Sequence, residues 1–146
     1  MISSESHTQC VTTLRTGVDL TNIGSVADSV TKFGKAFLDR IFTARETEYC
    51  TQGTSAAETA QRLAARFAAK EAVVKVLRPL EFRPEWTSIE IVRHPSGWCE
   101  VVLTGTAAAM AAEAGITEIQ ISMSHEDGMA IATAVAFVAS TKKDDR

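Results

Sequence analysis

The stretch from Gln61 to Leu77, QRLAARFAAKEAVVKVL, constrains the fold of this chain more than any other. It contains neither Gly nor Pro and is rich in Ala, Leu, Arg, Lys and Glu, which have high intrinsic helix propensities. Its larger apolar residues Leu63, Phe67 and Val74 recur at helical spacing. The pattern predicts a long helix around which the rest of the chain packs.

Charge is concentrated on and just after this predicted helix. Glu71 and Lys75 are four residues apart and share a stripe of its surface, with Arg66 and Lys70 on the neighbouring stripe. Between Gln61 and Arg83, six basic residues outnumber two acidic ones, a local charge of +4 in a chain of net charge −3. Such a helix suits a polyanion bound together with a metal ion. The alternative is an ordinary exposed ion pair between Glu71 and Lys75.

Length and composition indicate one globular domain. The chain has 146 residues, 45% of them hydrophobic, and we expect a domain over residues 11–140 with a flexible tail at 1–10 and a charged tail at 141–146. Three widely spaced cysteines give neither a disulfide framework nor a CxxC motif, which fits a reducing compartment. Residues 1–10 lack the apolar core of a signal peptide, and the longest uncharged run, Gly128–Thr141, is too short to span a bilayer. We therefore expect a cytoplasmic protein without membrane segments, and its acidic balance argues against nucleic-acid binding.

The order of the predicted elements indicates an α+β domain. The chain would form an antiparallel sheet packed by the long central helix and shorter helices. The predicted strands are Val11–Leu20, Trp86–Val92, Trp98–Leu103, Ile116–Met123 and Met129–Val138. The predicted helices are Thr21–Phe42 with an interruption at Gly34, a short helix starting at the capping box of Thr43 and Glu46, the long helix after the loop Thr51–Thr59, and Gly105–Ala114.

Three places in the sequence carry candidate chemistry. Asp19 comes at or just after the first strand, Glu71 and Lys75 lie on the long helix, and Ser124 and His125 fall in a polar turn between the last two strands. Two carboxylates far apart in sequence, together with Lys, Arg and His, suggest Mg²⁺ and a phosphate-bearing substrate. The alternatives are that Asp19 or Asn22 caps the next helix and that His125 is only a solvent-exposed residue.

Four segments together resemble a known family. They are Gly17-Val18-Asp19, Phe42-Thr43-Ala44-Arg45-Glu46, Arg66-Phe67-Ala68-Ala69-Lys70-Glu71-Ala72 followed by Lys75, and Ile121-Ser122-Met123-Ser124-His125. In this order they resemble the holo-[acyl-carrier-protein] synthase type of 4′-phosphopantetheinyl transferase, and the resemblance runs from about Gly17 to Val138.

The resemblance implies an activity and its parts. The 4′-phosphopantetheine arm of coenzyme A would move to a serine of an apo-acyl carrier protein in fatty acid or polyketide biosynthesis, releasing adenosine 3′,5′-bisphosphate. Asp19 and Glu71 match the family's Mg²⁺ ligands and, with Lys75, its catalytic residues. Residues that match coenzyme A-binding positions are Arg66, Lys75, Gly97, Ser124 and His125. Small members of the family are homotrimers with active sites between subunits, which implies the same here.

The chain also departs from the family pattern. Thr21 stands where larger transferases have another acid, which leaves two protein carboxylates for the metal. No basic residue follows in Asn22-Ile23-Gly24-Ser25, so carrier-protein docking is expected at Lys32, Lys35 and Arg40. A non-catalytic module that binds coenzyme A or carrier protein, and a structural subunit of a larger synthase, are the competing functions.

Overall fold

The structure is a computed structural model that describes residues 10–53 and 55–141. The predicted tails therefore lie outside the described residues, apart from Cys10 and Thr141, which are the end residues of strands. The strands are β1 Cys10–Asn22, β2 Ile89–Arg93, β3 Cys99–Leu103, β4 Ile116–Glu126 and β5 Met129–Thr141. The helices are α1 Ile23–Phe33, α2 Lys35–Ile41, α3 Ala44–Thr51, α4 Ala56–Leu77 and α5 Gly105–Ala114, with a 3₁₀ turn at Trp86–Ser88.

Helix α4 is the predicted central helix, and it starts five residues before Gln61. Ser55 caps it by accepting a hydrogen bond from the main-chain N–H of Glu58 (3.2 Å). Arg78 ends it in a left-handed conformation just before Pro79, which cannot continue a helix. Thirteen of its 22 residues are buried, so the helix is enclosed by the other elements on most of its surface.

The strands are antiparallel as predicted, but they form two sheets. The larger has the order β1-β5-β4, and β2 and β3 form a separate hairpin. Strand β5 pairs along its whole length with β1, from Met129 opposite Asn22 to Thr141 opposite Cys10. The predicted α+β class with helices packed on antiparallel sheet is therefore confirmed.

One face of the larger sheet packs on α4 through small residues. The inward-facing residues of β5 are Ala130, Ala132, Ala134, Ala136 and Val138, all buried. Strand β1 comes closest to the helix at Gly17, where an added Cβ would collide with the main-chain carbonyl oxygen of Ala72. Glycine is therefore needed at position 17 to let the strand cross α4 at this distance.

The region between β1 and α4 differs from the single helix predicted for Thr21–Phe42. Strand β1 continues through Asn22, and the Asn22 side chain then caps α1 by accepting from the Ser25 N–H (3.0 Å). Gly34, at a φ of 54°, separates α1 from α2, as the sequence indicates. The capping box at Thr43 and Glu46 is present and starts α3.

Two other predicted boundaries are wrong. Residues Trp86–Ser88 form a 3₁₀ turn rather than the start of a strand. Ser124 and His125 lie within β4 rather than in a turn, because β4 and β5 stay paired up to Glu126 opposite Met129. Within residues 10–53 and 55–141, no helix is long and apolar enough to cross a membrane.

Candidate active site

Asp19 and Glu71 line the same cavity, of about 440 Å³. Asp19 lies inside β1, opposite Ala132 of β5, rather than at the strand end expected from the sequence. Its side chain points to the α4 side of the sheet, where α4 presents Glu71. Residues of α1 and the rings of Phe37 and Phe67 also line this cavity.

Lys75 joins α4 to β1 beside this cavity. Its Nζ donates to the main-chain carbonyl of Val18 (2.6 Å) and lies 3.4 Å from Asp19 Oδ1. The Thr21 hydroxyl donates to the other Asp19 oxygen (3.3 Å). The alternative of an isolated surface pair between Glu71 and Lys75 is therefore wrong, because the partner of Lys75 is Asp19 on another element.

Glu71 is in an environment that disfavours its charge. Burial, followed by the negative charge of Asp19, raises the pKa of Glu71, while Arg83 and Lys75 oppose the shift. Arg83 provides only a loose pair, at 3.8 Å from Glu71 Oε2, and most of its side chain is in solvent. Because two negative charges that face one cavity repel each other, a cation bound between them would be favoured.

The donors around Asp19 and Glu71 fit a hard divalent cation. Besides the carboxylates, the cavity is lined by the hydroxyl or amide groups of Thr21, Asn22 and Ser25, so oxygen ligands predominate. Among the described residues, no group of three or more His, Cys, Asp or Glu side chains could hold a metal ion. Any metal here would have two protein carboxylates and take its remaining ligands from substrate and water, which is typical of Mg²⁺.

A second cavity, of about 300 Å³, contains the other residues singled out by the sequence. Arg66, Gly97, Ser124 and His125 all line it, although they come from α4, the β2–β3 turn and β4. The side chain of Glu58 also lines it, so the cavity has mixed charge. The structure therefore divides the predicted site into two groups, with Asp19 and Glu71 in one cavity and these four residues in the other.

Sequence reasoning missed three residues of the second cavity: Tyr49, Arg62 and Arg93. The guanidinium carbons of Arg66, Arg62 and Arg93 lie 4.3, 5.0 and 5.9 Å from the centre of the Tyr49 ring. Only the i,i+4 spacing of Arg62 and Arg66 was visible in the sequence. Tyr49 comes from α3 and Arg93 from β2, so no local pattern links them to α4.

The predicted position of Lys70 on the charged surface of the long helix is wrong. Instead of adding to a cationic surface, it is fully buried and pairs with Glu46 Oε2 at 2.8 Å. Burial lowers the pKa of Lys70, and the Glu46 charge opposes that shift. Its charge is thus used inside the fold, and the surface beside Glu71 is less positive than residue counting indicates.

Of the expected docking residues, Lys32 and Lys35 lie on either side of the corner between α1 and α2 at Gly34, whereas Arg40 lies in the last turn of α2. Lys35 forms an exposed pair with Asp39, and Lys32 Nζ lies 5.2 Å from the centre of the Phe33 ring. Phe33 is itself exposed, so the corner presents an aromatic ring among basic groups.

Comparison with known proteins identifies relatives over most of the chain. The family model described as the 4′-phosphopantetheinyl transferase superfamily matches residues 15–134. A holo-[acyl-carrier-protein] synthase from Geotalea daltonii is 41% identical over 121 residues, covering 82% of this chain and 94% of the relative.

Solved structures agree with the sequence comparison. The holo-ACP-synthase of Plasmodium yoelii has a TM-score of 0.77 at 25% identity, covering 89% of this chain and 99% of the other. An ACPS–CoA complex of Chronobacterium ammoniagenes has a TM-score of 0.74 at 25% identity, covering 90% of this chain and 99% of the other.

Proposed function

Because the chain belongs to the 4′-phosphopantetheinyl transferase superfamily, we propose that it is a holo-[acyl-carrier-protein] synthase. It transfers 4′-phosphopantetheine from coenzyme A to a serine of an apo-acyl carrier protein and releases adenosine 3′,5′-bisphosphate. The observation that carries the proposal is the pair of cavities on α4, one with two carboxylates and one with three arginines. The first suits a metal and a pyrophosphate, and the second suits the phosphorylated nucleotide of coenzyme A.

Asp19 and Glu71 are the residues that would hold Mg²⁺. Two carboxylates that line one cavity, with the hydroxyl groups of Thr21 and Ser25 among its other lining residues, fit a cation at this place. When bound, Mg²⁺ supplies positive charge against the pyrophosphate of coenzyme A.

Lys75 provides a second positive charge that the protein itself positions. Its bond to the Val18 carbonyl fixes the side chain next to Asp19, and about half of the side chain is exposed. Its ammonium can therefore donate to a phosphate oxygen next to the carboxylates. Since phosphoryl transfer depends chiefly on positioning and charge neutralisation, a fixed lysine at this place favours the transition state.

The serine hydroxyl of the carrier protein needs a proton acceptor. The Glu71 carboxylate lines the cavity that would hold the pyrophosphate, so it would be within reach of this proton. The Arg66, Ser124 and His125 side chains would meanwhile hold the nucleotide end, so that the phosphate to be attacked stays next to Glu71 and Lys75.

Intact-protein mass spectrometry tests the activity directly. An apo-acyl carrier protein incubated with coenzyme A, Mg²⁺ and this protein should gain the mass of one phosphopantetheine group. Asp19→Asn and Glu71→Gln should abolish the gain and weaken binding of Mn²⁺ measured by electron paramagnetic resonance. Asp28→Asn and Glu113→Gln are matched controls, because both residues are exposed and outside the two cavities.

The outcome separates an enzyme from a binding module. Coenzyme A binding by the wild-type protein without any mass gain on several apo-carrier proteins would contradict the transferase. It would favour a non-catalytic module, which would need the arginine-lined cavity to bind coenzyme A but not the carboxylates of Asp19 and Glu71.

We also propose a homotrimer whose active sites lie between subunits. The face of the larger sheet that points away from α4 exposes several apolar side chains of β1 and β5, namely Leu14, Val18, Leu20 and Ile131. A second copy of the chain is the occupant that we assign to this face. It would also bring the cavity lined by Asp19 and Glu71 in one subunit near the cavity lined by the arginines in the next, two cavities with different lining residues in the single chain.

Light scattering with two matched variants tests the trimer. Leu14→Asp should lower the molar mass towards that of a monomer, whereas Leu80→Asp should not, although Leu80 is 99% exposed. Unchanged mass and activity in Leu14→Asp would rule out this face as the interface.

Mixing experiments test whether the site is shared between subunits. Asp19→Asn and His125→Ala should each be inactive alone. Co-refolded in equal amounts, they should recover about one quarter of wild-type activity, because random assortment leaves that fraction of heterologous interfaces intact. No recovery in mixed oligomers would place the whole site within one chain.

The cytoplasm is the compartment that we propose. Cys50 and Cys99 are free thiols, which fits a reducing environment.

A further inference from the structure

Three arginines pack around one tyrosine in the second cavity, which is called the nucleotide cavity below because we propose that it holds the nucleotide of coenzyme A. Arg62 and Arg66 come from α4, Arg93 comes from the end of β2, and Tyr49 lies between them on α3. Guanidinium groups so close together repel one another, and without a fixed support they would spread into solvent. The support in this fold is the face of the tyrosine ring, which attracts cations.

Tyr49 also makes hydrogen bonds that direct two of the arginines. Arg62 Nη1 donates to the Tyr49 main-chain carbonyl (3.2 Å), and Arg93 Nη1 donates to the Tyr49 hydroxyl (3.0 Å). Arg66 Nη1 donates to the Arg62 carbonyl (3.4 Å). All these acceptors are neutral, so they orient the guanidinium groups without cancelling their charge.

The arginines retain donors and charge for a ligand. Among the described residues, no carboxylate lies within ion-pair distance of Arg62, Arg66 or Arg93. Arg66 is only 4% exposed, and its Nε is buried without a hydrogen-bond partner. A buried donor left unpaired is costly, which favours a polar ligand in this cavity.

The tyrosine itself is held by its surroundings. Its helix α3 starts at the capping box of Thr43 and Glu46, and the next residue, Cys50, is fully buried. The ring is therefore attached to an anchored helix and gives the three guanidinium groups a fixed surface to pack on.

We propose that Tyr49 is the positioning residue of the nucleotide cavity, aligning Arg62, Arg66 and Arg93 for the phosphates of coenzyme A before the ligand arrives. The inference rests on the proposed function, because it takes coenzyme A as the ligand. Prealignment lowers the conformational cost of binding, so it is expressed in the affinity for coenzyme A rather than in the chemical step. The hydroxyl and the ring have separable effects, since the hydroxyl acts on Arg93 alone and the ring acts on all three.

Two substitutions separate these effects. Tyr49→Phe keeps the ring and removes the acceptor of Arg93, so KM for coenzyme A should rise about tenfold, near the lower end for a hydrogen bond to a charged group. Tyr49→Leu also removes the ring, so KM should rise on the order of a hundredfold. KM for the carrier protein should stay unchanged in both, and kcat should fall by much less than KM for coenzyme A rises. Phe82→Leu, a change to an exposed aromatic residue outside the cavity, is the control and should leave all three constants unchanged.

Salt dependence distinguishes positioning from a merely structural role. Wild-type affinity for coenzyme A, measured by calorimetry, should fall steeply as salt rises, because several charges act together. The slope should be shallower for Tyr49→Leu, whose arginines no longer act together, whereas partial unfolding would lower the fraction of active protein without changing the slope. If Tyr49→Leu does not fold, the effect of Tyr49→Phe on KM decides the question.

Different results would refute the proposed function and the role of Tyr49. A wild-type protein that neither binds coenzyme A nor modifies a carrier protein refutes the proposed function. A wild-type protein that does both, with both Tyr49 variants keeping the wild-type KM and salt slope, overturns only the role of Tyr49.

Discussion

The buried ion pair between Lys70 and Glu46 gives a sharp test of how α4 is held in place. Lys70 Nζ donates to Glu46 Oε2 (2.8 Å) and to the carbonyls of Trp86 (3.0 Å) and Ile89 (2.6 Å). Glu46 in turn accepts from the N–H groups of Thr43 (2.8 Å) and Ile91 (2.9 Å). The pair thus connects α3, α4 and β2. Lys70 is also the residue directly before Glu71 on α4.

Replacing Lys70 by Met removes the cation and its hydrogen bonds to Glu46, Trp86 and Ile89, and keeps the bonds that Glu46 accepts from Thr43 and Ile91. Met has a similar length and no charge, so the main loss is electrostatic rather than steric. The Glu46 carboxylate then remains buried without its counterion, which costs about 3–5 kcal/mol when one partner of a buried pair is removed. This is a large share of the roughly 5–15 kcal/mol by which domains are stable.

Urea unfolding at one fixed protomer concentration measures this cost, since oligomerisation makes apparent stability concentration-dependent. The free energy of unfolding should fall by about 3–5 kcal/mol in Lys70→Met. In Glu46→Gln combined with Lys70→Met, the loss should be smaller than the sum of the single losses by about 1–3 kcal/mol.

The exposed pair of Lys35 and Asp39 provides the control. Lys35→Met should cost less than about 1 kcal/mol, since the side chains are 85% and 61% exposed. If Lys70→Met costs no more than Lys35→Met, the buried pair does not hold α4, and the reasoning is refuted.

Three further outcomes follow from the geometry. Burial and the Asp19 charge raise the pKa of Glu71, so its ionised form is disfavoured in the fold and Glu71→Gln should raise the melting temperature of the metal-free protein at pH 7. The gain should shrink as pH falls through the raised pKa and vanish well below about 4.3, where the Glu71 carboxyl is neutral in the folded and the unfolded state; a gain that persists there would contradict the electrostatic cause. Gly17→Ala should destabilise the protein by roughly 1–3 kcal/mol or more and weaken Mn²⁺ binding, because the new methyl group pushes β1 away from Ala72. A wild-type melting temperature in calorimetry and a wild-type Mn²⁺ affinity in electron paramagnetic resonance titration would show that the contact is not tight. Cys50 should resist iodoacetamide at pH 8 in the folded protein, since burial raises the pKa of its thiol to about 11, and rapid labelling in peptide mapping would contradict that.

Local patterns in the sequence predicted most elements. The central helix, the interruption at Gly34, the capping box at Thr43, the β2–β3 hairpin and helix α5 are all present. Each depends on residues near one another in sequence, such as a cap, a turn or a helical period. The boundary error at His125 had a local signal that was not used: Asp127-Gly128 both have positive φ, 49° and 76°, and an Asp-Gly pair suffices for a two-residue hairpin turn.

The environments of the candidate residues could not be predicted in the same way. Lys70 reads as a surface cation because nothing on α4 shows that Glu46, from another helix, is buried against it. The grouping of Tyr49 with Arg62 and Arg93 depends on three elements meeting in space. Asp19 and Glu71 were selected from the sequence as a pair, and the structure places them at one cavity, while their roles stay a prediction.

The alanines between α4 and β5 have a consequence for the precision of the site. Alanine loses no rotamer freedom on folding, so this contact orders the backbone without the entropic loss that longer side chains would add. Ala68 and Ala72 on the helix meet Ala132 and Ala134 on the strand within one buried cluster. Rotamer changes of side chains therefore have little effect on the distance between the helix and the sheet. The carboxylates of Asp19 and Glu71 should keep nearly the same spacing across the working temperature range.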